Sequence, residues 1–270
     1  MYAYVPAGLT ANRPLVLILP GCGGVAVDYD DETGWTKWAD SMGFSLVIAE
    51  TTTQYNNCFN FYVPADQERG SGEPATLIAM IDWMKTHYAV DSSRVFVTGF
   101  SGGAAMTNVM LATYPDVFAA GAPIAGIPYK CATSLDEVEG CFNGATVSAQ
   151  TLGDRVRAAY SGYTGSWPRV SIWHGTADDI INFSNEDQEM QQWTNVHGQD
   201  QTPETSDTVA GYPHKIYGAN LVETYVLTNL EHYIPVAPGS GAEQCGGGGS
   251  TADAGICSSL YIARWFGLDK

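Results

Sequence analysis

VFVTGFSGGAAMTNVM, residues 95–110, begins with the character of a buried strand and ends with that of a helix. Three glycines, Gly99, Gly102 and Gly103, crowd Ser101 at the point of change. Two explanations compete. Small residues let a helix sit close to a sheet. Alternatively, Ser101 is a nucleophile lifted on a sharp strand-to-helix turn, which is what G-x-S-x-G marks when a strand precedes it and a helix follows. Gly99-Phe100-Ser101-Gly102-Gly103 meets the pattern and the context, and a helix starting there aims its free N–H groups at the serine.

The same reading extends outward. Apolar runs recur at residues 14–20 (PLVLILP), 44–49 (FSLVIA), 94–100 (RVFVTGF) and 169–174 (RVSIWH), with weaker ones at 118–127 and 221–228. Most are unbroken, as expected of parallel strands covered on both faces. Helical patterns lie between them at 36–42, 74–88, 103–114, 185–196 and 256–266, and tryptophans such as Trp83, Trp193 and Trp265 on them read as core. Strands alternating with helices predict one α/β domain over residues 1–270, a mostly parallel sheet flanked by helices.

Twelve Lys and Arg against 29 Asp and Glu give a formal charge of −17. Such a field repels nucleic acid and anionic membrane, so neither is expected as a partner. Six cysteines, an even number without paired C-x-x-C spacing, fit three disulfides rather than a metal site. They point to a secreted protein. The first residues, MYAYVPAGLTANRP, lack the basic and apolar regions of a signal peptide. The expectation is a chain that begins after a removed leader, with Met1 added.

A serine hydroxyl needs a base, normally a histidine held by a carboxylate. His87 and His197 read as helix-end residues and His214 as the start of a strand. In the order serine, acid, histidine, His232 is the one histidine late enough to follow an acid on the loop after residues 169–174. That acid is Asp178 or Asp179, with Asp207 and Glu223 as competitors. His174 is expected to shape the loop. Oxyanion donors are expected from the amides of Gly102 and Cys22, the latter on the loop Leu19-Pro20-Gly21-Cys22-Gly23-Gly24. That loop lacks the GK[ST] ending of a P-loop, which disfavours nucleotide binding.

These residues resemble secreted esterases of the polyhydroxybutyrate depolymerase type, which include carbohydrate esterase family 1 acetylxylan and feruloyl esterases. The likeness covers nearly the whole chain. It rests on YVPAG (4–8), LPGCGG (19–24), TGWTKWADSMGF (33–44), CFNFY (58–62), the segment 94–121 around Ser101, YSGYTGSWPRVSIWHGTADD (160–179), EHYIPV (231–236) and ICSSLYIARWFGL (256–268). The resemblance implies an α/β-hydrolase fold with Ser101 as nucleophile, His232 as base and Asp178 as acid. It also implies the pairs Cys22–Cys58, Cys131–Cys141 and Cys245–Cys257, and chemistry without metal or organic cofactor. The substrate it implies is an acyl or feruloyl ester of plant polysaccharide, or else polyhydroxybutyrate or another polyester.

Phe59, Phe61 and Tyr233 are candidates for an apolar subsite, with core packing as the alternative for each. Two positions depart from the family pattern. Pro20 stands where relatives carry His, removing a brace of the oxyanion loop while stiffening it. Glu231 replaces the Gly before the catalytic histidine, and a carboxylate there is expected to move the pH optimum upward. These two departures keep open a non-catalytic, esterase-like binding protein.

Overall fold

Apolar runs pair side by side to build the sheet, and the links between them supply its cover. The structure, a computed structural model, describes residues 1–9, 11–52, 56–144 and 146–270. In chain order come β1 (Tyr2–Tyr4), β2 (Arg13–Leu19), α1 (Ala26–Thr33), α2 (Trp35–Met42), β3 (Ser45–Ile48), α3 (Gly72–Tyr88) and β4 (Val90–Phe100). Then follow α4 (Gly102–Thr113), β5 (Ala120–Ile124), α5 (Leu135–Phe142), α6 (Ala149–Ala159), β6 (Arg169–Gly175) and α7 (Ser184–Val196). The chain continues through β7 (Thr205–Val209), β8 (Tyr212–Tyr217), β9 (Val222–Leu227), β10 (Ile234–Val236), β11 (Thr251–Asp253) and α8 (Ser258–Phe266).

Nine strands form one sheet in the order β1-β3-β2-β4-β5-β6-β9-β8-β7. The six central strands, β3 to β9 in that order, run parallel, with Leu17 opposite Val97 and Val97 opposite Gly121. Antiparallel β1 closes one edge and the β7–β8 hairpin the other. β10 and β11 make a separate parallel pair.

Each central strand feeds two cores because successive side chains point to opposite faces. Leu15, Leu17, Leu19, Val95 and Val97 meet Leu77 and Ile81 of α3, Val109 of α4 and Trp193 of α7. Val16, Ile18, Phe96 and Phe100 meet Trp35 and Trp38 of α2 and Leu260 and Phe266 of α8. Burial on both sides explains why these strands read as unbroken apolar runs. Trp83 departs from the core reading: it is 40% exposed on α3, stacked on His87.

The helix after the serine is the most deeply enclosed. Every residue of α4 is buried, and it carries no charge. Its polar side chains are satisfied inside: Thr107 donates to Gly103 O and Asn108 to Ile127 O, while Asn108 accepts from the Trp193 indole N–H. A fixed α4 fixes the turn at its start.

Candidate active site

The ends of β4, β6 and β9 converge on Ser101. It lies between Phe100, the last residue of β4, and Gly102, the first of α4, with φ 54° and ψ −120°. A side chain at positive φ is strained. The turn is held by Ser101 N–H donating to Ile124 O and by Ala105 N–H donating to Ser101 O, each at 3.0 Å. The glycines serve packing as well. A Cβ on Gly103 would come 2.0 Å from Leu19 O, so α4 meets the end of β2 only because that carbon is absent.

The acid and base come from two neighbouring loops. Asp178 follows β6 and His232 follows β9. A bond from Ala177 N–H to Leu230 O and another from Asn229 N–H to Thr176 Oγ1 tie the loops together. His232 Nε2 is 2.9 Å from Ser101 Oγ, and its Nδ1 is 2.7 Å from Asp178 Oδ2. With Nδ1–H donating to the carboxylate, Nε2 is left to accept from the serine hydroxyl. The imidazole also lies against Phe100, ring centres 4.7 Å apart.

Asp178 carries a buried carboxylate. Oδ1 accepts from the N–H groups of Ile180 and Ile181, at 3.0 and 2.8 Å. Burial pushes its pKa up, but hydrogen bonds from His174 and His232 and from the Ile181 amide hold it well below the usual carboxylate range. Asp179, the neighbour that residue reading alone did not separate from it, is exposed. His174 Nε2 donates to Ile181 O at 2.9 Å and lies 3.3 Å from Asp178 Oδ2, so it sits behind the acid. Asp207 and Glu223 are engaged elsewhere, on either side of His214 at 2.8 and 3.0 Å.

Cys22 lines the cleft beside Ser101, and Gly102 follows Ser101 directly in the chain. Cys22 N–H meets no acceptor among the described residues, and Gly102 opens α4, where a helix has free N–H groups. The Cys22–Cys58 disulfide lies directly on Gly102, whose added Cβ would be 2.8 Å from either sulfur. The cleft over these groups measures about 370 Å³ and is walled by Phe142, Ile180 and Tyr233.

A serine, an imidazole and a carboxylate are thus joined in one hydrogen-bonded line, an arrangement that can carry out acyl transfer. The family model for esterase PHB depolymerase matches residues 1–209. The chain belongs to that family. Poly(3-hydroxyalkanoate) depolymerase C of Paucimonas lemoignei is 46% identical over 99% of this chain and 66% of its own length. Acetylxylan esterase of Coprinopsis cinerea is 39% identical over 87% of this chain and 65% of its own. Feruloyl esterase B of Talaromyces funiculosus is 34% identical over 87% of this chain and 69% of its own. The chain thus spans about two thirds of the length of these relatives. Among solved structures, acetyl xylan esterase from Aspergillus awamori superposes with a TM-score of 0.86 at 28% identity, covering 99% of this chain and 93% of the other. The fold is that of the α/β-hydrolases.

Of the three candidate aromatics, Tyr233 alone reaches the cleft, 39% exposed. Phe59 and Phe61 are 4% exposed and packed in the core beneath the sheet. Phe142 and Ile180, absent from the sequence reading, wall the cleft instead; nothing in their local sequence sets them apart from ordinary apolar residues. Glu231 is exposed, and neither nitrogen of His232 pairs with it, both being taken by Ser101 and Asp178. The six cysteines pair as Cys22–Cys58, Cys131–Cys141 and Cys245–Cys257.

Proposed function

We propose that this chain is a serine-dependent carboxylic ester hydrolase, with residues 1–270 as one catalytic domain. The observation that carries the reading is the unbroken hydrogen-bonded line Asp178–His232–Ser101 beside the free Cys22 amide. Ser101 Oγ attacks the ester carbonyl while its proton passes to His232 Nε2. Asp178 keeps the imidazole in the receptive tautomer and stabilises the imidazolium. The carbonyl oxygen, now negative, is bound by the Cys22 and Gly102 amides. His232 then protonates the departing alcohol. Water, deprotonated by the same imidazole, releases the acid and restores Ser101. Every step uses groups of the chain and water.

The substrates named for the relatives are the candidates here: acyl or feruloyl esters of plant polysaccharide, and polyesters of hydroxyalkanoic acids. Two observations favour the polyester reading as a second one. The relative named for such a polymer matches 99% of the chain at 46% identity, and exposed apolar Ile180 and Tyr233 wall the cleft while exposed Leu135 lines the adjoining groove. Three disulfides fit a secreted enzyme, and among the described residues no helix is long and apolar enough to cross a membrane. Purified protein offered acetylxylan, methyl ferulate and polyhydroxybutyrate in parallel is expected to release acid from at least one, and Ser101→Ala to lose that release. Hydrolysis retained by Ser101→Ala rejects the serine mechanism.

A further inference from the structure

Phe142 and Cys22 border two hollows at once. One is the catalytic cleft. The other, a groove of about 420 Å³, runs away from it along α5, between Leu135 and Val138 on one side and Tyr62 and the Cys22–Cys58 disulfide on the other. Leu135, Val138 and Phe142 stand at i, i+3 and i+7, so one stripe of α5 faces the groove. No protein segment covers this stripe among the described residues: Leu135 is 49% exposed, and Val138 and Phe142 are half-buried. The wall is nevertheless fixed. Phe61 stacks behind the Phe142 ring with centres 6.3 Å apart, Asn182 N–H donates to Phe142 O, and Cys141 is tied to Cys131. A groove formed before binding loses little entropy when filled.

The triad decides which half of an ester meets this groove. The departing alcohol oxygen must lie within reach of His232 Nε2, which protonates it. The alcohol therefore extends over the side walled by His232, Tyr233 and Ser250. The acyl substituent, on the other side of the attacked carbon, points toward Cys22 and Phe142, where the groove opens. We infer that the groove along α5 receives the acyl portion of the ester and makes the enzyme select an extended apolar acyl group over acetyl. The assignment rests on the serine-ester reading above and adds to it the side and the chemistry of selection.

The test is a series of p-nitrophenyl acetate, butyrate and hexanoate on the full chain. Each methylene buried contributes roughly fourfold, so kcat/KM is expected to rise about sixteenfold from acetate to butyrate and to rise again to hexanoate. Val138→Trp fills the groove and is expected to bring the butyrate-to-acetate ratio down to about one. Leu135→Ser, at an exposed position that leaves folding intact, is expected to lower the hexanoate-to-acetate ratio severalfold. A flat or falling acyl series in the unaltered enzyme overturns the inference. So does a Val138→Trp variant that alters selection among alcohols of different length and leaves acyl selection untouched. Fluorophosphonate labelling of the unaltered enzyme separates the two failures: labelling with a flat acyl series rejects the groove alone, and absence of labelling rejects the serine reading and the groove together.

Discussion

At the scale of single residues, His174 is the group whose contribution to the site goes furthest beyond its position in the chain. It ends β6 fully buried, with Nε2 shared between Ile181 O and Asp178. Glu189 stands in its surroundings, held by Asn108, and both Nδ1 of His174 and Oε2 of Glu189 lack a hydrogen-bond partner among the described residues. Burial works against protonating His174, but the bonds to Asp178 and Ile181 and the field of Glu189 outweigh it and raise its pKa. Burial likewise pushes the Glu189 carboxyl up to about 7. In the proposed mechanism His174 thus acts as a positioning residue for the Asp178 carboxylate, with its raised pKa favouring positive charge behind it. In His174→Gln, kcat is expected to fall about tenfold through loosened geometry. The acid limb of the kcat/KM profile is expected to move to higher pH, because a cation leaves the neighbourhood of the catalytic imidazole. A purely structural role predicts lower stability with an unmoved limb. Residue reading places an acid on this loop but leaves Asp178 and Asp179 equal; burial separates them, and burial depends on how the turn after Gly175 folds under the His232 loop. A Cβ on Gly175 would lie 2.2 Å from Leu230 O, a constraint invisible without the partner loop.

Elements differ in how plainly the sequence announces them. β2, β4 and β6 are long apolar runs because both faces are covered, and their helices carry clear spacing. β7, with the sequence TSDTV and mostly exposed, belongs to an edge hairpin where polar alternation replaces the run. β1, β10 and β11 have three residues each and are defined by their partners. α1 is acidic and short, and α6 buries only Leu152, Gly153 and Val156; neither offers a strong stripe. α5 escapes for a physical reason as well, since it is short and only Cys141 among its residues is buried, Val138 and Phe142 being half-covered. The loop carrying Cys22 holds one of the two proposed oxyanion donors. The Cys22–Cys58 bridge closes a 36-residue separation and packs against Gly102, so under the proposed mechanism it braces both oxyanion donors. Cys58→Ser is expected to cost about 3–4 kcal/mol of stability, read by urea denaturation. It should also lower kcat between about tenfold and a hundredfold with a smaller change in KM, approaching the loss of one oxyanion donor. A variant weakened only in stability, with kcat intact below its unfolding midpoint, contradicts that role.

For the molecule as a whole, the sheet carries a second buried polar chain distinct from the catalytic one. His214 on β8 bridges Asp207 and Glu223, Glu223 accepts from Ser171 Oγ at 2.5 Å, and Ser171 Oγ accepts from the Trp173 indole at 2.8 Å. Burial opposes the charge on His214, yet its bonds to Glu223 and Asp207 prevail and raise its pKa above the ordinary 6.5. A raised imidazole stabilises the fold fully below the unfolded value and loses that contribution as pH climbs through the folded one. Asp178 acts at the opposite end, with its contribution present above the unfolded value near 3.8 and lost as pH falls through the lower folded value. Urea denaturation at pH 6 and pH 8.5 is expected to show the unaltered protein less stable at the higher pH. His214→Gln should shrink that difference, the remainder coming from His174 and Glu189, and an equal difference in both proteins contradicts the assignment. The fold and the order serine, acid, histidine are legible along the chain, because parallel strands and the elbow are local patterns. The cleft walls and the groove are not, being made by residues brought together from separate loops. The account stands most directly on one measurement, peptide mapping after reaction with a fluorophosphonate. It predicts a single adduct, on the peptide containing Ser101, formed in step with the loss of ester turnover. An adduct elsewhere, or turnover that survives complete modification of Ser101, contradicts it.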